Sequence, residues 1–151
     1  MDKQYIGISE HRINHMLGVA RKCYYLAKEK YNMTEEDARK MFFMGLIHDF
    51  GYEFSECPSE HPIIAGDILN SMTIDDFCNI VDAIKHHGKI EKYEYQTADY
   101  ILNEADLTVN SQGAEVTIEE RCEDIKGRYG KTSRQYRNAC KLKQELENRK
   151  G

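Results

Sequence analysis

The most apolar stretch of the chain ends on two residues with metal-binding and acid–base chemistry: Met41-Phe42-Phe43-Met44-Gly45-Leu46-Ile47-His48-Asp49. Thr34 and the acidic residues after it predict the start of a helix, because a threonine caps free amides and acids suit the positive helix end. We expect this helix to end near His48 and Asp49. A buried aspartate beside a buried histidine is costly unless it is paired, hydrogen-bonded or bound to metal. The alternative interpretation is a histidine at a helix end with an aspartate turning into the following loop.

Helical periodicity continues on both sides of this stretch. Apolar residues recur at intervals of three and four, and the alternation typical of strands is scarce. For the first helix, this spacing predicts a buried stripe of Ile13, Met16, Leu17, Ala20, Tyr24 and Ala27. The predicted helices span about 9–31, 34–49, 62–69, 73–86, 97–109, 117–129 and 132–150, with a loop at 50–60. We therefore predict an all-α bundle of about six or seven helices.

Length and composition exclude several classes of protein. The 151 residues fit one domain with a real core, and 40% hydrophobic residues exclude a disordered chain. A net charge of −5 argues against bulk nucleic-acid binding but leaves room for a small basic pocket. Five cysteines without a Cys-x-x-Cys pair indicate free thiols in a reducing cytoplasm. No apolar leader and no membrane-length run is present, so we expect a cytoplasmic protein without membrane contact.

More histidines and a second aspartate share the placement of His48 and Asp49, at helix ends or on apolar helix faces. They are His15, His61, His86, His87 and Asp106. Each alone is compatible with an ordinary core or surface side chain, but their number favours a common explanation. Imidazole and carboxylate donors without thiolate suit Mn, Fe, Mg, Co or Zn. A carboxylate between two such ions can bridge them, and an ion pair of this kind promotes phosphoester hydrolysis.

His11 is a weaker candidate for the same site. It lies four residues before His15, a spacing that places two imidazoles on one helix face. The metalloprotease signature with this spacing has a glutamate after the first histidine, whereas this chain has Arg12. We therefore expect His15 to point inward and His11 to lie near the helix entry, outside the metal set.

Five short motifs, in this order, resemble the HD-domain metal-dependent phosphohydrolase superfamily. They are Arg12-x-x-His15-x-x-x-Val19-Ala20, Gly45-Leu46-Ile47-His48-Asp49, His61-Pro62-x-x-Ala65-Gly66, Ala83-Ile84-Lys85-His86-His87 and Ala105-Asp106. The resemblance implies an all-helical HD domain over residues 1–151. Its metal-site core would span 12–106, and C-terminal helices would span 117–150.

The resemblance also implies a set of metal ligands. The basic set would be His15, His48, Asp49 and Asp106. In the dinuclear branch, His61 and a histidine at the end of the following helix hold a second ion, and Asp49 bridges the two. His87 matches that histidine better by its distance from Ala83-Ile84, with His86 as the open alternative. The implied cofactor is therefore a pair of divalent metal ions.

The branch that the chain most resembles is the symmetrical diadenosine tetraphosphate hydrolase type (YqeK-like). After Ala105-Asp106, however, that branch continues into a segment with Lys and Arg, whereas this chain has an uncharged stretch at 107–113. The segment from Arg121 to Gly130 does not match the branch either. Cyclic di-GMP phosphodiesterases of the HD-GYP type and alarmone hydrolases are less similar. The metal site therefore carries over better than the substrate.

We expect the chain to hydrolyse a nucleotide or dinucleoside polyphosphate by attack of a metal-bridging hydroxide at Asp49. Glu60 or Lys85 would transfer protons. Candidate phosphate-binding cations are Lys85, Lys89, Arg121, Arg128, Lys131 and Arg137. Lys85, Lys89 and Arg128 are the expected substrate contacts, together with Tyr52 in the loop after Asp49.

Three alternatives to this function stay open. One is a mononuclear nucleotidase that uses only the basic ligand set. Another is a binding module that holds metal and nucleotide without turnover, and the last is a purely structural helical protein. The expected partner is a small nucleotide or phosphoester, and a homodimer is compatible with the sequence.

Overall fold

The computed structural model describes residues 9–50, 61–64, 78–88 and 95–150. In this part of the chain there are six long helices, and residues 61–64 are also helical. The helices are α1 (Glu10–Tyr25), α2 (Glu35–Ile47), α3 (Cys78–His86), α4 (Thr97–Leu107), α5 (Ile118–Tyr129) and α6 (Arg134–Lys150). A π-helical turn, Leu26–Lys30, extends α1. The predicted all-α class is confirmed, and none of the described helices is long and apolar enough to cross a membrane.

The close packing of α1 against α2 depends on a glycine. A Cβ atom at Gly45 would lie 2.7 Å from the Cα of Ala20 and 3.0 Å from the Sγ of Cys23. Only a residue without a side chain therefore lets the two backbones approach this closely. The N-terminus of α2 is capped as predicted, since Thr34 Oγ1 accepts a hydrogen bond from the Asp37 amide at 3.2 Å. The close contact of the two helices at Gly45 places the C-terminal end of α2, which His48 follows, against the middle of α1.

The predicted buried stripe of α1 is partly wrong. Ile13 is 46% exposed, whereas Val19 and Cys23 are completely buried. The reason is that α1 packs against both α2 and α4, so its buried face is turned toward the side that carries Val19 and Cys23. Tyr24, predicted to be core, is half-buried and donates a hydrogen bond to Glu35 at 2.7 Å.

The central helix of the described structure is α4, which packs against α1, α2, α3, α5 and α6. It carries several buried polar side chains, and Glu104 pairs with Lys30 at 2.6 Å. On one side of α4 lies the larger core cluster, built with α1, α2 and α3. On the other side Leu107 packs with the apolar faces of α5 and α6 in a second cluster. Asp106, near the C-terminal end of α4, therefore lies where the two halves meet.

The helix ends follow the sequence signals closely. Thr117 and Glu120 form the predicted capping box at the start of α5. Gly130 (φ +96°) ends α5, and Gly88 (φ +83°) follows α3, as their freedom at positive φ allows. By contrast, α4 ends at Leu107 rather than at 109, because Val109 forms an isolated antiparallel bridge with Glu115. Residues 51–60 of the predicted loop at 50–60, and residues 65–69 and 73–77 of the predicted helices, lie outside the described residues.

Candidate metal centre

The first group of ligand atoms joins α1, α2 and α4. His15 Nε2 lies 2.7 Å from Asp106 Oδ1, and His48 Nε2 lies 3.3 Å from the same oxygen. His48 Nε2 is also 3.2 Å from Asp49 Oδ2. One donor atom from each of His15, His48, Asp49 and Asp106 lies within 4.8 Å of all the others. Positions 15 and 106 are far apart in the chain, so only the helix packing brings these side chains together.

The second group joins Asp49 to two further histidines. Asp49 Oδ1 lies 3.0 Å from His61 Nε2 and 3.2 Å from His87 Nε2. The two Nε2 atoms are themselves 3.1 Å apart. His61 belongs to the helical residues 61–64, and His87 follows the last turn of α3.

Asp49 belongs to both groups, one through each carboxylate oxygen. Its Oδ2 faces His48 and, at 3.8 Å, His15, whereas its Oδ1 faces His61 and His87. The Asp49 side chain is only 7% exposed. A carboxylate in this position can bridge two cations, one on each side. The structure thus brings five other predicted ligands together around Asp49, the residue predicted to bridge.

The histidine rings are oriented by backbone carbonyl groups. The Nδ1 atoms of His15, His48 and His87 lie 2.9, 2.6 and 2.5 Å from the carbonyl oxygens of Asn110, Gly45 and Ile84. A carbonyl oxygen only accepts, so each Nδ1 carries the proton and donates it. Each Nε2 of a neutral ring then turns its lone pair toward the carboxylates. Such facing acceptors need positive charge between them, either a proton on Nε2 or a metal ion, and this second layer of hydrogen bonds is typical of metal-binding histidines.

A close approach of backbone segments positions His15. A Cβ atom at Gly18 would lie 2.5 Å from the carbonyl oxygen of Gly113, so the segment after α4 lies directly on α1. This contact places the Asn110 carbonyl beside the His15 ring. The glycines at 18 and 113 therefore contribute to the orientation of a candidate ligand without touching it.

The electrostatics of the cluster also favour a cation. Burial alone would lower the pKa of His48, but the carboxylates of Asp49 and Asp106 outweigh this effect and raise it to about 10. Burial alone would raise the pKa of both carboxyl groups, yet the neighbouring histidines hold the pKa of each well below its usual range. The Asp49 and Asp106 side chains are only 7% and 18% exposed, and carboxylates so placed that stay ionised need positive charge beside them. The nitrogen and oxygen donors fit a divalent metal ion of the first transition row.

The structure separates His87 from the alternative, His86. The Nδ1 of His86 lies 2.9 Å from the carbonyl oxygen of Asp82 in its own helix, and His86 belongs to neither ligand group of the described residues. His11 lies beside the cavity described below, is exposed, and is also in neither group. The reason for the first difference is helix rotation: neighbouring residues point about 100° apart, so only one of the two histidines can face Asp49.

A cavity of about 310 Å³ opens beside the two ligand groups. Its floor includes His15, Asp49 and Asp106, and α5 and α6 form the opposite wall. The wall combines an apolar part with guanidinium groups. The apolar part consists of Ile125, Ala139 and Leu142, with Leu107 of α4 beside them. The arginines that line the cavity are Arg121, Arg128 and Arg134 from this wall and Arg12 from α1.

The other predicted substrate and proton-transfer residues are distributed unevenly. Arg128 lines the cavity as expected, whereas half-buried Lys85 is not among the described residues that line it. Tyr52, Glu60 and Lys89 lie outside the described residues. The cavity thus supports the substrate contact predicted for Arg128 and gives no support to that of Lys85.

Two arginines of the cavity were not predicted as substrate contacts. Arg12 had a signal, because it lies one helical turn before His15 and therefore on the same side of α1. For Arg134, the sequence contained no sign of a substrate contact beyond its position at the start of a polar helix. Of the remaining predicted cations, Arg121 lines the cavity, whereas Lys131 and Arg137 are exposed residues outside its described lining.

Comparison with known families agrees with this geometry. The family model of the HD domain matches residues 12–125, more than half of the chain. The chain belongs to the HD domain family, whose members are generally metal-dependent hydrolases. The match includes all six residues of the two ligand groups and extends into α5. No curated protein and no solved structure matches the chain.

Proposed function

We propose that the chain is a dinuclear metal-dependent phosphohydrolase that acts on a nucleotide or a dinucleoside polyphosphate. The observation that carries this proposal is the position of Asp49, whose two oxygens face two separate groups of histidines at 3.0–3.8 Å. HD-family membership supports hydrolase chemistry, and the arginine-lined cavity supports an anionic substrate. The YqeK-like branch suggested by the motifs is part of the proposal.

The six cluster residues would hold the metal ions in two sets that share Asp49. His15, His48 and Asp106 would complete the first set, and His61 and His87 the second. Two ions in such a site supply a nucleophile at neutral pH and positive charge for both the attacking and the leaving oxygen. The protein's own part is to keep the Nε2 atoms directed at Asp49 and Asp106 through the carbonyl groups behind the rings.

Arg121 links the metal centre to the wall of the cavity. Its Nε donates to the backbone carbonyl oxygen of Asp106 at 3.3 Å, and its Nη1 lies 3.2 Å from Asp124 Oδ2. The guanidinium is thereby held beside a metal ligand without depending on a bound substrate. A planar guanidinium in this position suits a phosphate oxygen that approaches the ions. The apolar wall beyond it removes water from the same side of the cavity.

The direct test compares two aspartate variants. We expect Asp49→Asn to lose bound metal and at least about 100-fold of the hydrolysis rate, since even indirect partners of metal ligands contribute about 10–100-fold. The matched control is Asp82→Asn, at an exposed position of α3. The measurements are metal content by mass spectrometry and hydrolysis of a panel of nucleoside and dinucleoside polyphosphates. Full metal content and full activity in Asp49→Asn would overturn the proposal.

One observation favours the mononuclear alternative. The first group offers four donor residues, whereas the second offers three among the described residues. A mononuclear enzyme would hold one ion per chain and keep its activity in both His61→Ala and His87→Ala. The dinuclear proposal instead expects each of these variants to lose one of two ions and most of the activity.

A further inference from the structure

We propose that α5 and α6 form a second anion-binding subsite, in which Arg128 and Arg134, with Arg121 between them and the metal centre, hold a negatively charged group remote from the scissile bond. This inference rests on the proposed function and narrows its substrate class. The substrate would carry at least two phosphate groups in a row, as a nucleoside triphosphate or a dinucleoside polyphosphate does. A nucleoside monophosphate would leave this subsite empty.

The charge of the described cavity lining is opposite to that of the chain. The chain has a net charge of −5, whereas the described residues that line the cavity include four arginines and two carboxylates, Asp49 and Asp106. This described lining is therefore positive before any metal ion binds. Bound divalent ions would add to this charge and would by themselves suffice for one phosphate group. The additional guanidinium groups indicate a ligand with more negative charge.

The arginines are spread along the wall rather than gathered at the metal centre. Arg121 and Arg128 lie seven residues apart on α5, and so on the same face of the helix at an axial separation of about 10 Å. Arg121 contacts the carbonyl of Asp106. Arg128 donates to the hydroxyl of Ser111, at the far end of that interval. The two guanidinium groups thus line the wall from the Asp106 carbonyl to the Ser111 hydroxyl, with Asp124 between them.

The pairing of these arginines leaves positive charge for a ligand. Asp124 accepts from both Arg121 and Arg128, each at 3.2 Å, so one carboxylate serves two guanidinium groups. In the described part of the chain, the Arg134 side chain makes no hydrogen bond or ion pair. The local excess of positive charge therefore increases from the metal centre toward the α5–α6 junction.

The apolar part of the wall favours a nucleotide over inorganic polyphosphate. Ile125 lies between Arg121 and Arg128 on α5, and Ala139 and Leu142 face it from α6. Tyr129, 44% exposed, presents an aromatic ring to the same cavity. Ring and aliphatic surfaces between cations suit a sugar and a base joined to phosphates.

The experiment measures two nucleotides that differ in phosphate number. The metal-loaded protein is titrated calorimetrically with AMP and with the β,γ-methylene analogue of ATP, and chromatography checks that neither is degraded. We expect Arg128→Gln and Arg134→Gln each to weaken the triphosphate analogue about tenfold, as loss of a charge-assisted contact does, and AMP less than about twofold. Arg128→Lys should restore part of the loss, because it keeps the charge but not the planar fork.

The matched control is Arg137→Gln, which removes the same charge from α6, the helix of Arg134, but outside the described lining of the cavity. It should change neither affinity. Equal losses for both nucleotides, no loss, or an equal loss in Arg137→Gln would overturn the subsite. Metal content and thermal melting of each variant show whether it is folded and loaded.

The outcome is separate from that of the proposed function. A selective loss of triphosphate affinity without hydrolysis by the wild type would support the subsite and contradict the phosphohydrolase. Hydrolysis by the wild type, without a selective loss of triphosphate affinity in the arginine variants, would support the phosphohydrolase and contradict the subsite.

Discussion

The metal centre and the arginine wall face each other across one cavity, yet they are built by different means. At the metal centre the side chains of His15, His48 and His87 are at most 6% exposed, and each ring is held by a backbone carbonyl. On the wall, the side chain of Arg128 is 49% exposed and its partners are a surface carboxylate and a hydroxyl. The first arrangement holds each ring in one orientation, whereas the second provides charge that can adapt to its ligand.

The largest expected effect is that of removing metal from the centre. A ligand that binds only the folded state at about a thousand times its Kd stabilises by about 4 kcal/mol. We therefore expect chelation to lower the melting temperature strongly and metal addition to restore it. In Asp49→Asn, chelation should change the melting temperature little. If chelation leaves the melting temperature of the wild type unchanged, the buried centre is held together without metal. The proposed difference between the metal centre and the arginine wall would then be wrong.

The next largest effect is expected from the glycine that lets α1 and α2 approach. Gly45→Ala introduces a Cβ atom 2.7 Å from Ala20, and such overpacking costs about 1–3 kcal/mol. The displacement should also weaken metal binding, because His15 lies on α1 and His48 directly follows α2. The matched control lies in the other half of the molecule: Gly127→Ala in α5 meets no atom within 4 Å and should stabilise by about 0.5–1 kcal/mol. Denaturant unfolding and metal titration measure both variants.

Salt should affect ligand binding on the two sides of the cavity differently. Exposed charges are screened over about 10 Å at 0.1 M salt, so the affinity for a nucleoside triphosphate analogue should fall about tenfold between about 50 and 500 mM NaCl. Metal content, which depends on buried ligands, should stay constant over the same range. A parallel loss of metal would show that the centre is as accessible to screening as the wall.

The reactivity of two cysteines should show the same difference between the buried metal centre and the exposed wall. Burial raises the pKa of the Cys23 thiol well above its usual value, so its reactive thiolate is suppressed in the folded protein. Cys140 on α6 is exposed. Alkylation followed by peptide mass spectrometry should modify Cys140 first and Cys23 only after unfolding. Equal labelling of the two at neutral pH would show that the core beside the metal centre opens readily.

The smallest effect is expected at the pair of half-buried Tyr24 on α1 and exposed Glu35 on α2. The hydrogen bond from Tyr24 lowers the pKa of the Glu35 carboxyl group, with Lys28 as a further cause. A carboxyl group with a lowered pKa adds stability above its unfolded pKa and loses it as the pH falls. Tyr24→Phe should therefore raise the pKa of Glu35, measured by carboxyl NMR, and destabilise only slightly at neutral pH. A large destabilisation would mean that this surface pair is coupled to the core.

Local signals in the sequence predicted the helices and much of the centre. Thr34 and Thr117 cap the helices that they were expected to start, and Gly130 ends α5. His48 and Asp49 were identified because polar residues at the end of an apolar helix need partners. These features depend on residues within one or two helical turns of each other, which is the range over which a single sequence is informative.

The remaining features depend on packing between distant segments. The exposure of Ile13 follows from α1 being covered by two helices at once, which no pattern within α1 reveals. The contact of His15 with Asn110 crosses 95 positions, and the approach of Arg134 to the cavity depends on how α6 folds back on α5. The distinction between His86 and His87 needed the rotation of α3 relative to Asp49.

The carbonyl groups behind His48 and His87 have one more consequence, because both belong to the last turns of the helices that carry these residues. Gly45 and Ile84 each lie three positions before the histidine that they orient. Last turns ordinarily fray and exchange their amide hydrogens quickly. Here fraying would withdraw a candidate ligand, so a bound ion would hold the ends of α2 and α3 in place. Metal loading would then slow amide exchange in two short segments.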